Sequence, residues 1–567
     1  MPPTPAVALP TAPAPTTPAP SADSALPGVS LAALVPVPPN APTTTFDAVR
    51  LANQATFGAS ENLVNAIKTQ GAAGWVAWQV NLPNTSRYTS GADGAMHQHT
   101  GTNDYCADKP ATCWRDNQSS EPLLWDFYKN AMTQPDQLRQ RMAFALQQIL
   151  VVSNIKVTGT YGLRNYQNSL MTLALGNYRD VLRKAALSPV MGDYLDHANN
   201  HKDAPNENFA RELMQLFAIG NCQLNPDGTW KGNQCSPTHD NGSVRAFAMA
   251  LTGWTFPLGG AAPYGCFPIG ANCRYYGSDL VPLPSYHATS SRYLMNGVTL
   301  PANSTPASAL ESVLDALMAD PNMAPFIAKQ LIQHLVSSNP SPAYVARVAD
   351  AFRTGRFQAF GTGMKGDLTA TAAAILLDTE ARGATSSRNV GKLREPVLMF
   401  TGVLRGLNGR TDGDALGWNW GGQLRQHVFR PPSVFNFYPS DYPVPSTTLV
   451  GPAFGIHSGS TALARINFLQ YLIGWNGTAP TASPVPNPVG TRVTLDNFLT
   501  SADDADALVD RISNLALGKP LPAASRADVV AAVAWWTAAQ DPVKWKIYRV
   551  QVATYLIYGS PYYQVQN

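Results

Sequence analysis

The chain has 567 residues, with 40 Lys and Arg against 37 Asp and Glu, a formal net charge of +3. Charged residues make up 14%, well below the roughly 25% of an ordinary soluble protein. No clustered run of Lys and Arg supplies the phosphate contacts of a nucleic-acid-binding protein, and no stretch approaches the ~20 apolar residues of a membrane span.

Residues 1–43 hold thirteen prolines, one acid (Asp23) and no Lys or Arg. Such a segment cannot build a core and reads as a disordered Pro/Ala/Thr-rich tether, partly polyproline II. It shows neither the basic start nor the apolar stretch of a secretory signal. From Phe46 onward, apolar residues recur at helical spacing. The pattern predicts helices at 46–57, 61–80, 121–132, 135–153, 164–187, 206–219 and 242–253. Further helices follow at 308–318, 323–337, 342–354, 366–380, 391–407, 457–474, 503–517, 525–539 and 541–558. Strand signals are confined to 298–301 and 492–495. The expected fold is mostly α: a single large multi-helical domain over 44–567, with long disulfide-stapled loops and minor β.

The loops at 84–120, 221–241 and 255–306 hold all six cysteines, in three close pairs: Cys106/Cys113, Cys222/Cys235 and Cys266/Cys273. Pairing between near neighbours is the simplest arrangement, because each intervening segment is short and rich in Gly, Pro, Asn or Asp. Buried free thiols are the alternative; a metal site fits less well, since no CxxC occurs. Disulfides persist in oxidising compartments, so the cysteines place the chain outside the cytoplasm. A start trimmed by processing is the favoured way to reconcile this with the absent signal, a misassigned start or another export route being the alternatives. A further loop, 409–453, gathers Trp418, Trp420, Phe429, Phe435 and Tyr438.

The stretch 205–220, PNENFARELMQLFAIG, carries more polar chemistry than a core helix needs. Pro205 and Asn206 form a start signal and Gly220 a left-handed stop. At about 100° per residue, Phe209, Leu213, Leu216 and Phe217 share one face, with Glu207 and Arg211 opposite at ion-pair spacing. Glu212 falls at the edge of the apolar stripe, where a carboxylate must find a partner.

This stretch resembles the signature of the bacterial family called domain of unknown function 1800. Supporting matches are LANQATFG at 51–58, Tyr194-Leu-Asp, Leu251-Thr-Gly-Trp254, Leu393-Arg-Glu-Pro396 and Pro432-Ser-Val-Phe-Asn-Phe-Tyr438, in that order. The resemblance implies a mostly helical, exported bacterial protein. It also implies a neighbour, since family members are often encoded beside sulfatase-like proteins, and so a shared extracytoplasmic task on a polymer. One departure stands out: an Arg is expected three residues before Thr-Gly-Trp, where Met249 occurs, with Arg245 a turn earlier.

Glycosidic hydrolysis uses two carboxyl groups across the scissile bond. The acid/base candidates are Glu207, Glu212 and Asp196. The two glutamates lie roughly 140° apart around one helix, so a working pair would join one of them to Asp196 or Asp240. Arg211 and Asn206 are candidate substrate contacts, and Trp254, Trp418 and Trp420 candidate stacking platforms for sugars. No cofactor is predicted. A divalent metal is left room by His197 and His201 at i,i+4, although 199–205 reads as loop and the Glu of HExxH is missing. His97-Gln-His99, beside Asp93 and Asp104, is another, weaker cluster. There is no GxSxG, GxxxxGK[ST], nucleotide-binding GxGxxG or CxxCH, which removes serine esterase, P-loop ATPase, Rossmann oxidoreductase and c-type cytochrome readings.

The expected function is an extracytoplasmic (periplasmic, secreted or surface-tethered) hydrolase or lyase acting on a polymer, foremost a polysaccharide. The alternative is a non-catalytic cell-surface binding or assembly protein in which the motif helix is a structural polar network. Neither a nucleic-acid partner nor a transmembrane segment is expected.

Overall fold

The structure is a computed structural model that describes residues 43–100, 104–383 and 391–566. All of these belong to the second of two compact units, Val35–Asn567. The tether expected at 1–43 lies outside the described residues, save Thr43, whose hydroxyl accepts from Ala72 N at 3.1 Å.

Helices start where short polar side chains take up free amides. Thr44, Ser60, Asn177, Asp240, Ser341, Asp367 and Asp504 each accept from an amide of the turn they open. Thr305 does so within a reciprocal capping box, followed by Pro306. The helices then bury their apolar stripes in one continuous core running from Ala48 to Tyr563. Among the helices packed closest are Met323–Leu335 on Pro342–Thr354, Pro342–Thr354 on Leu368–Leu377, and Trp545–Gly559 on Ala505–Leu517 and Ala523–Ala534. A second, smaller apolar cluster of Leu393, Phe437, Tyr438, Ala453 and Ile456 sits under the 432–456 loop. The described sheets are all two-stranded and antiparallel. Arg292–Met295 pairs with Val298–Leu300 through Asn296-Gly297, both at positive φ, the dipeptide that a tight hairpin turn favours.

The mostly helical reading is therefore correct, and the differences have local causes. The helix expected at 61–80 breaks into Glu61–Gln70 and Ala72–Asn81 at Gly71, whose φ is 72°. That expected at 164–187 divides into Thr160–Leu173 and Tyr178–Leu187, the second opened by the Asn177 cap. Residues 391–407 do not form one helix. Lys392–Leu393 is a strand against Val565–Gln566, and the helix begins at Pro396. The 492–495 strand shrinks to a bridge between Arg492 and Arg410.

The three disulfides join the near-neighbour pairs: Cys106–Cys113, Cys222–Cys235 and Cys266–Cys273. They fit an extracytoplasmic location. Among the described residues, no helix is long and apolar enough to cross a membrane.

Candidate functional site

The motif helix runs Asn208–Gln215, shorter than its periodicity predicts. Asn206 Oδ1 accepts from Asn208 N at 2.8 Å, the expected cap. Asn206 also closes the preceding loop: its amide donates to Asn200 Oδ1 (2.8 Å) and its carbonyl accepts from Asn200 Nδ2 (3.2 Å). That loop is braced by the Thr-Gly-Trp stretch, since Gly253 N donates to Asn200 O and Asn199 N donates to Trp254 O. Two motifs some fifty residues apart in sequence thus meet through backbone bonds. Gly220 takes the left-handed stop at φ 72°.

Glu207 and Arg211 form the predicted ion pair, Nη2 to Oε2 3.0 Å, with both side chains partly exposed. Glu212 differs. It is 8% exposed, and its Oε2 meets no donor among the described residues. Burial pushes its carboxyl above the usual glutamate value, against the pull of Arg211. Asp196 holds φ 57° and ties the first residue of the helix to Lys156: Oδ1 accepts from Lys156 Nζ (3.2 Å) and Oδ2 from Asn208 Nδ2 (3.1 Å). Asp240 caps the Asn241–Ala250 helix through Ser243 N. Arg245 is exposed on that helix.

The histidine pair does not keep helical spacing, because Asn199 between them lies at positive φ. His197 is 1% exposed, stacks on Phe209 at 4.5 Å, and has no partner at either ring nitrogen among the described residues. Burial holds it neutral, down to about 3. His201 turns to Asp203, accepting from its amide at 3.1 Å, and to Tyr286. His97 is enclosed by Tyr161, Tyr264 and Tyr276, with Nδ1 2.8 Å from the Tyr161 hydroxyl. Among the described residues, no group of three or more His, Cys, Asp or Glu is placed to hold a metal ion. The stacking expectation needs correction for two tryptophans: Trp254 and Trp420 are 4% and 5% exposed and pack the loops onto the body. Trp418 is exposed, donates to Glu121 Oε1 at 2.7 Å, and carries the Arg430 guanidinium over its ring at 4.5 Å.

A cleft of about 370 Å³ opens at the C-terminal end of the motif helix, with Gln215, Leu216 and Gly220 in its lining. The Cys222–Cys235 loop contributes Trp230, and helix Met323–Leu335 contributes Lys329 and His334. Leu393 and the preceding Lys392 arrive from the Leu-Arg-Glu-Pro stretch, and Tyr438 from Pro-Ser-Val-Phe-Asn-Phe-Tyr. None of Glu207, Glu212 and Asp196 lines it; Asp441 is its only lining carboxylate among the described residues.

The cleft rests on a buried polar network. Glu395 is fully buried; its Oε2 accepts from Gln426 Nε2 (2.6 Å) and the Tyr438 hydroxyl (2.8 Å), and its Oε1 lies 3.8 Å from Lys392 Nζ. Burial alone would raise the Glu395 carboxyl, but Lys392, Arg141 and His334 outweigh it and hold it low. Lys392 Nζ donates to His334 O at 2.6 Å. Burial brings the Lys392 ammonium down to about 8, Glu395 opposing. Burial likewise lowers His334 to about 4, helped by Lys392. Arg141, fully buried, donates through Nη2 to the same His334 carbonyl, and its Nε and Nη1 have no acceptor among the described residues. At neutral pH this supplies an uncharged imidazole, an amine that gives up its proton readily, and fixed positive charge.

Glu395 and Tyr438 both lie in stretches that carry the resemblance, and Lys392 precedes one by a single residue. Their roles were not legible, because each becomes polar machinery only beside partners far off in sequence. His334 read as one more position in a core helix.

The fold and the cleft define a disulfide-bearing, mostly helical class of protein in which the motif helix lies between a braced loop and a cleft. The chain belongs to the family described as "Protein of unknown function (DUF1800)", matched over residues 50–565. No curated protein and no solved structure matches it.

Proposed function

We propose that the chain is an extracytoplasmic lyase acting on an acidic polysaccharide at the cleft beside the motif helix, in the periplasm, at the surface or secreted. The observation that carries this reading is the cleft's chemistry: His334 and Lys392 as bases, cationic neighbours, and a single lining carboxylate. A two-carboxylate hydrolase mechanism lacks its second acid there. Elimination needs a base for the proton beside the sugar's carboxylate and a cation to hold that carboxylate. The base takes the proton, the electron pair becomes a ring double bond, and the glycosidic oxygen leaves and is protonated. Lys329 would hold the acid group, with the buried Arg141 adding positive charge behind the cleft wall, and Trp230 and Phe435, each about half exposed, would stack sugar rings at the rim.

One observation favours the alternative of a non-catalytic binding or assembly protein: Glu395 is fully buried, with its Oε2 held by Gln426 and Tyr438 and its Oε1 facing Lys392 at 3.8 Å. The test is to incubate the protein with a panel of polyuronates and sulfated uronates, following the ultraviolet absorbance of the new double bond. One polymer is expected to react, with His334→Ala lowering kcat by ~10²-fold while circular dichroism stays native. An unchanged rate in the folded variant sinks the assignment of His334. Saturable binding without absorbance supports the alternative.

A further inference from the structure

Away from that cleft, a second cavity of about 290 Å³ lies between the first helix, Thr45–Ala55, and the segment that follows Leu517. Its lining includes Arg50, Asn53, Arg394, Lys519 and Tyr562, and no Asp or Glu among the described residues. Arg50 and Arg394 are 2% and 4% exposed. Arg394 is partly satisfied, donating through Nε to Tyr563 O (2.7 Å) and through Nη1 to Asn53 Oδ1 (3.3 Å). Arg50 donates through Nη1 to Gly383 O, but its Nε and Nη2 meet no acceptor among the described residues. The carboxylate that acts on Arg50, Asp47, also pairs with Arg382 at 3.0 Å, so one acid serves two guanidiniums. Positive charge is therefore in excess around a cavity that carries no acid of its own.

We propose that this cavity binds a tetrahedral oxyanion, a phosphate or sulfate group, either free or as a monoester. A planar guanidinium whose Nε and Nη2 have no acceptor among the described residues matches an oxyanion edge, and a dianion answers the charge excess better than a carboxylate does. A volume of about 290 Å³ exceeds what a bare ion fills and leaves room for the organic part of an ester.

The test is calorimetric titration of the full chain with inorganic phosphate, inorganic sulfate and glucose 1-phosphate at constant ionic strength, with acetate as the monoanion control. Lys519 is exposed at the cavity's edge, so Lys519→Glu perturbs the site without opening the core. At least one of the three oxyanions is expected to bind, ~10-fold or more weakly to Lys519→Glu, with Arg50→Met abolishing the signal where that variant folds. Tighter binding of the ester than of both inorganic ions points to an organic ligand; the reverse order points to a free ion. No binding by any of the three overturns the proposal, as does acetate binding equally well or Lys519→Glu leaving affinity unchanged.

Discussion

Glu212 concentrates the physics of the motif at one side chain. Its neighbour Arg211 is taken up by Glu207, so helical geometry alone separates a satisfied pair from a carboxylate left in the core. That separation could be read from spacing, because the three residues share one helix. What Glu212 meets on the facing elements could not, since that depends on residues distant in sequence. With its carboxyl raised by burial, the folded chain binds the proton more tightly than the unfolded chain. Glu212 then costs nothing extra below the ordinary glutamate value of 4.5 and destabilises as pH rises above it. Glu212→Gln removes the ionised form. It is expected to melt ~1–2 °C above the parent at about pH 7 and to coincide with it near pH 4. A Gln variant that melts lower at pH 7 would show that the ionised carboxylate has a partner after all.

Among the elements, periodicity located most helices, and the misreadings fall where a backbone device overrides it. Gly71 divides one apolar pattern into two helices because its left-handed φ turns the chain. Lys392–Leu393 leaves the helical pattern because Val565–Gln566, near the far end of the chain, offers it a strand. The motif helix ends early, and its exit to Gly220 shapes the cleft, with Leu216 and Gly220 both in the lining. Gly220 is needed twice over. Its φ of 72° disfavours any side chain, and a Cβ would stand 2.6 Å from the Phe326 ring. Gly220→Ala is expected to destabilise by ~2 kcal/mol or more, from the left-handed strain plus the overlap. Denaturant unfolding checks it; a loss under ~0.5 kcal/mol would mean that the helix exit relaxes freely.

Across the whole molecule, the quoted motifs from Tyr194 to Tyr438 meet in two places: the braced loop before the motif helix, and the cleft after it. The same burial that assembles them fixes how the protein answers acid. Burial, the largest cause in each case, holds His97 and His197 at about 3 and His334 and His427 at about 4, against an ordinary 6.5. The unfolded chain takes up these protons near pH 6.5, while the folded chain refuses them until well below it. Unfolding therefore binds protons in this window, and stability is full above 6.5 and falls as pH drops toward about 4. Glu212, Asp47 and Asp414, all raised by burial, work the other way, but burial lowers His239, His287 and His457 as well, so the histidines outnumber these carboxyls. At ~1.4 kcal/mol per proton per pH unit, a net uptake of about two protons lowers the melting temperature by ~2–3 °C per pH unit. Scanning calorimetry from neutral pH down through this window is the check. His197→Phe, which keeps the stack on Phe209, should flatten the profile by one proton's share. A melting temperature that holds steady or rises on acidification would mean that these imidazoles are not buried in neutral form.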